Sequence, residues 1–256
     1  MFLGDMLLIH LLFLSHTMEQ TLIIIPTFNE AENIETIIAA IFATTLDINI
    51  LVVDDDSPDG TGTLVTDLMT IYSQKLFLES RTEKSGLGAA YVHGFKWALR
   101  YKYDYVFEMD ADLSHNPSEL KPMLALLKAN FDMVIGSRYV NGINVVNWPL
   151  NRILLSYFAS MYVQLITAMP IKDPTAGFIG YKRTVLESIA LDEIKFVGYA
   201  FQIELKYKAW IKKFKLFEHP IIFKNRVLGK SKMSSNIIWE ALYGVLFLRL
   251  NKQRFK

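Results

Sequence analysis

From Thr21 to Gly136 short apolar runs alternate with helical patterns, and that alternation restricts this chain to few folds. Thr21 to Pro26, Ile48 to Val53, Lys75 to Glu79, Tyr103 to Met109 and Asp132 to Gly136 read as strands. Between them, helical patterns run from Asn29-Glu30 to Ala43, from the Ser57-Pro58-Asp59-Gly60-Thr61 turn to Tyr72, from Gly86 to Arg100 and from Pro117 to Ala129. Continuous Ile/Val/Leu strands separated by helices require a sheet covered on both faces. The expected fold is α/β, a Rossmann-like, mostly parallel sheet with helices on both sides. In such sheets ligands sit beyond the carboxyl ends of the strands.

Those ends are where the polar chemistry lies. The second run closes on Asp54-Asp55-Asp56, and the fourth on Asp110-Ala111-Asp112. In a strand alternate side chains share a face, so Asp110 and Asp112 are expected to point the same way. Two carboxylates so placed repel unless a cation compensates them, and a hard divalent ion with oxygen ligands also holds phosphates. A metal and a phosphorylated ligand are therefore expected in one pocket. A bland and weaker alternative stands beside this: Asp54 to Asp56 merely cap the next helix or satisfy a turn.

Charge and composition add further limits. The chain has 256 residues and no cysteine, which excludes disulfides and thiolate metal sites. Its net charge of +1 conceals an asymmetry: from Lys195 onward there are fourteen Lys/Arg against three Glu. A basic C-terminal quarter fits phosphates, lipid headgroups or nucleic acid, or simply a solvated surface. No nucleic-acid-binding motif accompanies it. Met1 to Leu14 is apolar but lacks a basic n-region and is short for a membrane span. Residues 1–17 read as a dispensable extension, with a weak anchor as the alternative.

Two apolar segments follow the alternating region. Trp148 to Met169 is a long helix candidate. Asn236 to Leu250 is a second, with Trp239, Tyr243 and Phe247 at four-residue spacing before a basic tail. An aromatic apolar stripe beside Lys and Arg suits an interfacial membrane helix. Core or dimer packing is the competing reading. This divides the chain into 1–17, a main domain over 18–232, and an amphipathic basic helix and tail over 233–256.

Single signals gain weight in order. They are Pro26-Thr27-Phe28-Asn29-Glu30, Val53 to Thr61, Asp110 to His115, Gly136-Ser137-Arg138-Tyr139, Arg152 with Ser156, Asp173 to Phe178, Phe201 to Glu204, and Arg226 with Lys230-Ser231-Lys232. Together they resemble family 2 glycosyltransferases, and within them the dolichol-phosphate (polyprenyl-phosphate) mannosyltransferases, from about Thr21 to Lys232. The resemblance implies a GT-A fold and inverting transfer of mannose from GDP-mannose to a polyprenyl or dolichyl phosphate, at the cytoplasmic face of a membrane. Transfer from another nucleotide sugar such as UDP-glucose is the alternative. It implies nucleotide-sugar contacts at Pro26, Phe28, Glu30, Val53, Asp55, Asp110, Ala111, Asp112, Arg138, Arg226 and Lys232. It implies Mg²⁺ or Mn²⁺ at Asp110, Asp112 and Ser114. Acceptor-phosphate contacts are implied at Arg138, Arg152, Ser156 and Arg226, with Asp110, Asp112, Arg138 and Asp173 as the catalytic set. Three positions depart from the pattern: Phe28 stands for a common Tyr, Asp56 for Asn, and Ile179 for Arg.

The residues fit that chemistry on their own terms. Arg152 and Ser156 lie four apart, so on a helix they share a face, and a guanidinium fork suits a phosphate. An ionised phosphate is already a nucleophile, so no strong general base is needed. Glu204 could equally pair with Lys208 one turn on, and His115 reads as a turn or cap residue. A nucleotidyltransferase would carry a glycine-rich loop after the first strand, where this chain has Pro26 to Glu30. A membrane-binding module without catalysis would leave the Asp clusters idle.

Overall fold

The computed structural model describes residues 19–82, 86–225 and 235–255. The expected extension at residues 1–17 lies outside these, as do Arg226, Lys230 and Lys232 and the side chain of Trp239.

The first strands and helices follow the expected order: β1 (Thr21–Thr27), α1 (Ile34–Phe42), β2 (Asn49–Asp54), α2 (Thr61–Ile71), β3 (Leu76–Ser80), α3 (Leu87–Arg100) and β4 (Tyr105–Glu108). Then come α4 (Leu120–Ala129), β5 (Met133–Ser137), a two-residue β6 (Val145–Val146) and α5 (Leu150–Thr167). The chain closes with β7 (Ile179–Lys182), α6 (Arg183–Ser188), α7 (Tyr199–Ile211), β8 (Leu216–Pro220), a two-residue β9 (Phe223–Lys224) and α8 (Ser235–Leu250). The main sheet has seven strands in the order β3-β2-β1-β4-β7-β5-β8. All its pairings are parallel except those of β7, which runs antiparallel between β4 and β5. The expected α/β class holds, and so does its mostly parallel sheet.

Two-sided burial explains the unbroken apolar strands. Alternate residues of β1 face opposite layers. Leu22 and Ile24 join the layer of Tyr91, Phe95 and Phe201, whereas Ile23 and Ile25 join that of α1. On α1, Ile34, Ile37, Ile38 and Ile41 recur at helical spacing and are wholly buried. Gly94 lets α3 lie close on the sheet, because a Cβ there would stand 2.7 Å from Ile24 Cγ2. Strands β7 and β8 are absent from the sequence reading. One is four residues long and broken by Gly180, and the other is only partly buried and ends in a proline.

The two late helices pack on the domain and on each other. Val245 and Leu248 of α8 are buried in the same core as α7, and Tyr162 of α5 donates to the Leu242 carbonyl at 3.2 Å. Phe247, expected on an exposed stripe, turns partly inward, with its ring 6.0 Å from Phe196. Tyr243, Leu246 and Leu250 face outward, as do Leu150, Leu154, Leu155, Phe158, Met161 and Leu165 of α5. Among the described residues no helix is long and apolar enough to cross a membrane.

Candidate active site

Parallel pairing brings the first, second and fourth strand ends to one edge. Thr27 pairs with Asp54, and Ile24 with Glu108. Asp54 then stitches the loops together: it accepts from Thr27 Oγ1 at 2.6 Å, from Ser57 Oγ at 2.6 Å and from Ser57 N at 2.9 Å. Asp59 does the same from the other side, accepting from Ala31 N and from Thr61 N and Oγ1. The turn reading therefore describes Asp54. Asp55 instead meets Arg81, with Nε 2.9 Å from Oδ1. Glu30 is oriented by Asn33, whose side chain donates to its carboxylate at 2.9 Å. Pro26, Phe28 and Glu30 are half-buried at the same edge as the buried Val53 and Asp55.

The Asp110–Asp112 segment corrects an expectation. Strand β4 stops at Glu108, so strand alternation does not place these two carboxylates. They lie in a turn in which Leu113 takes a left-handed φ of 61° and Asp112 Oδ1 accepts from Ser114 N at 3.1 Å. Asp112 and Ala111 are buried, while the Asp110 side chain is 37% exposed. His115 is a buried brace here. Its Nδ1 accepts from Asp110 N at 3.1 Å, its Nε2 lies 3.9 Å from Asp110 Oδ2, and its ring stacks on Phe178 at 5.0 Å. Burial holds the imidazole below its ordinary pKa, so it is neutral. Tyr91 donates to Asp110 Oδ1 at 3.4 Å from the buried side.

A divalent ion beside Asp110 would need several hard oxygen ligands. Among the described residues no three His, Asp or Glu side chains cluster at metal-binding distance. Mg²⁺, however, commonly takes only one or two protein carboxylates and fills its remaining positions with water and substrate phosphates. Asp110 and Asp112 supply two hard oxygens. The buried Ser114 hydroxyl has no partner among the described residues and adds a third oxygen. These residues fit such an ion.

A second centre forms at the end of β5. Arg138 donates from N and Nε to Asp173 Oδ2 at 2.9 and 2.7 Å, and from Nη2 to Oδ1 at 2.6 Å and to Thr175 Oγ1 at 2.8 Å. Burial alone would raise the Asp173 carboxyl, but the Arg138 charge and its hydrogen bonds outweigh this and hold it below the usual range. Glu218 fixes the approach to Asp173 by accepting from Lys172 N and Asp173 N at 2.8 and 2.9 Å. Arg152 stacks its guanidinium 4.0 Å over the Trp148 ring and donates to Asn225 Oδ1 at 2.9 Å. Arg138 lies 5.6 Å from the same ring. Ser156 accepts from the Tyr139 hydroxyl at 2.8 Å. The structure thus gathers Arg138, Arg152 and Ser156. Phe223 connects this centre to the carboxylate turn, with its ring 5.4 Å from Trp148 and 5.5 Å from His115.

Beneath both centres lies a polar layer. Tyr181 and Gln202 donate to the buried Glu108 carboxyl, which burial pushes up to about 7. Burial pushes the Lys206 amino group down to about 7. Glu204 pairs with Lys208 at 2.8 Å and caps the backbone N–H groups of Lys195 and Phe196, matching its structural reading. His93 and His219 pair with Glu79 and Glu119.

A parallel α/β sheet with a carboxylate turn and an arginine centre beyond its strand ends is the architecture of a GT-A glycosyltransferase. The chain belongs to glycosyl transferase family 2, whose model matches residues 22–190. It is 46% identical over 89% of its length to the polyprenol monophosphomannose synthase of Mycolicibacterium smegmatis, and covers 86% of that protein. It is 39% identical over 88% of its length to the undecaprenyl-phosphate mannosyltransferase of Micrococcus luteus, covering 92% of it. Among solved structures it is similar to glucosyl-3-phosphoglycerate synthase from Mycobacterium tuberculosis, crystallised with Mn²⁺, UDP and phosphoglyceric acid. That likeness has a TM-score of 0.63 and 16% identity, covers 92% of this chain and 78% of that one, and concerns the fold.

Proposed function

We propose that this glycosyltransferase moves mannose from GDP-mannose to a polyprenyl phosphate of dolichyl type, inverting the anomeric carbon. The observation that carries the reading is the pair of guanidinium groups, Arg138 and Arg152, beside one Trp148 ring and linked through Phe223 to the Asp110–Asp112 turn. Two fixed cations suit a phosphate monoester, and the names of the relatives supply the class of lipid and sugar.

In this reading Pro26, Phe28, Glu30, Val53 and Asp55 hold the nucleoside. Ala111, Asp112 and Arg138 meet the sugar diphosphate, as do Arg226 and Lys232 from outside the described residues. Asp110, Asp112 and Ser114 would hold Mg²⁺ or Mn²⁺, which neutralises the leaving diphosphate as a Lewis acid. Arg152, Ser156, Arg138 and Arg226 receive the acceptor phosphate. Asp173 anchors Arg138, so that its charge is preorganised rather than recruited during reaction. The acceptor oxygen attacks opposite the diphosphate.

The protein works peripherally at the cytoplasmic face of a membrane, with the outward apolar residues of α5 and α8 against the lipid. Purified protein is to be given labelled GDP-mannose, UDP-glucose and UDP-GlcNAc with a polyprenyl phosphate. Mannose on the lipid from GDP-mannose alone is expected. Preferred use of UDP-glucose would replace the donor, and no lipid product from any of the three would overturn the reading.

A further inference from the structure

Lys206 sits inside α7 with no exposed surface. A lysine so placed is rare unless its amino group is satisfied. The hydrogen bonds it makes are to backbone carbonyls: Nζ donates to Ala176 O at 2.7 Å and to Gln202 O at 3.2 Å. The second is local to the helix. The first reaches across to the segment that joins α5 to β7, and that segment carries the acceptors of Arg138.

Ala176 directly follows Thr175, which accepts from Arg138, and stands three residues after Asp173, which accepts three times. Glu218 grips the front of this segment at Lys172 and Asp173. Lys206 grips its back at Ala176. An amine donates to a carbonyl in either charge state, so the grip is independent of protonation. One turn earlier on the same helix, Gln202 donates to Glu108, the last residue of the strand leading into Asp110.

We propose that Lys206 is a positioning residue for sugar transfer: by holding the Ala176 carbonyl it fixes the Asp173–Thr175 cradle in which Arg138 is aimed. This rests on reading Arg138 as a phosphate-binding group. Without the Lys206 bond the cradle keeps its front anchor and loses its rear one. Arg138 then samples orientations outside the productive one, and small misplacements of this kind are costly in rate.

A double-mutant cycle tests it, with Lys206→Met, Arg138→Lys and the two combined, reading kcat, both KM values and the thermal midpoint. Lys206→Met has similar volume and removes a buried polar group together with its bond. It is expected to lower kcat about tenfold while the thermal midpoint stays or rises. In the Arg138→Lys background the same change is expected to cost less than twofold, because the group it aims is already gone. Three results would overturn the proposal. If Arg138→Lys by itself leaves kcat and both KM values unchanged, the reading of Arg138 falls, and this inference with it. If Arg138→Lys is impaired but Lys206→Met is not, Lys206 is merely a core residue. If the two losses multiply in full, Lys206 acts independently of Arg138 and the proposal is wrong. Should Lys206→Met fail to fold, Lys206→Leu, which likewise removes the donor to the Ala176 carbonyl, carries the same cycle with the same criteria.

Discussion

Arg138 and Asp173 share three hydrogen bonds, two of them, from the Arg138 backbone N–H and from Nε, to the single carboxylate oxygen Oδ2. The pair is almost wholly buried, with Asp173 at 0% exposure. Breaking a buried pair strands one charge and costs about 3–5 kcal/mol. Asp173→Asn is therefore expected to destabilise the fold by about that amount and to lower transfer further than the fraction unfolded explains. The sign with pH follows from the direction of the shift. The Asp173 pKa in the folded chain lies below its unfolded value. Its contribution is thus fully present above the unfolded value and is lost as pH falls through the folded one. Urea melts of wild type and Asp173→Asn should differ most near neutral pH and converge in acid. A gap that stays constant into acid would refute the assignment.

The metal assignment predicts that Asp112→Asn removes nearly all transfer while the fold survives, and that chelators silence the wild type until Mg²⁺ or Mn²⁺ is restored. Asp112 also accepts from Ser114 N, a bond that the Asn side-chain oxygen can keep, so the turn should persist. Circular dichroism and turnover on the same sample separate the two effects. Normal turnover by the variant in excess chelator would sink the metal.

How much of this was legible in the sequence depends on the residue. The acidic closing of the second and fourth strands was, because a continuous apolar run followed by carboxylates is a local pattern, although β4 stops at Glu108 and not at the expected Met109. The roles within the acidic cluster were not, because Asp54 is occupied by Thr27 and Ser57, and only pairing of β1 with β2 brings Thr27 there. Arg138, Asp173, Arg152 and Ser156 were found as motif members. Tyr139 and Thr175 stood inside motifs, and Trp148 at the head of a helix candidate, without their contacts to Ser156, Arg138 and Arg152. Glu218 and Lys206 were missed, since each acts on a partner distant in sequence and neither carries a spacing signal. Arg81 opposite Asp55 was missed for the same reason. Strand β7 was hidden because four residues including Gly180 are too few to show a period.

Arg152→Ala should weaken use of the lipid phosphate more than nucleotide binding. Arg152 lies on α5, braced by Trp148 and Asn225, away from the β1 and β2 ends. A charged hydrogen bond is worth about 1.5–3 kcal/mol, or about ten- to a hundred-fold. The acceptor KM should rise on that scale while the affinity for GDP-mannose changes less than threefold. Equal losses for donor and acceptor would move the acceptor phosphate elsewhere.

The product should be β-linked from the α-linked donor. In the proposed reaction the nucleophile is the acceptor phosphate itself, attacking opposite the diphosphate, so one displacement suffices. The Asp173 carboxylate is wholly buried and occupied on both oxygens by Arg138. The anomeric coupling of the purified lipid product, measured by NMR, decides this. An α-linked product would require a double displacement.

Membrane contact should depend on outward residues of α5 and α8, not on α8 as a whole. Removing α8 outright would also strip Val245 and Leu248 from the core, so a deletion would confound folding with binding. Point changes avoid this. Leu165 is 82% exposed, Phe158 60% and Leu250 83%. Each large apolar side chain entering a bilayer contributes about 1.5–3 kcal/mol. The triple variant Phe158→Ser, Leu165→Ser, Leu250→Ser should therefore lose at least a hundredfold in partitioning to vesicles of anionic phospholipid. Its activity on long-chain polyprenyl phosphate should fall, while activity on a short, water-soluble analogue should persist. Added salt should weaken the residual binding, because the basic residues Arg249, Lys252 and Arg254 act through a screened field. A variant that sediments with vesicles as fully as the wild type, at low and high salt alike, would place the membrane contact on another face.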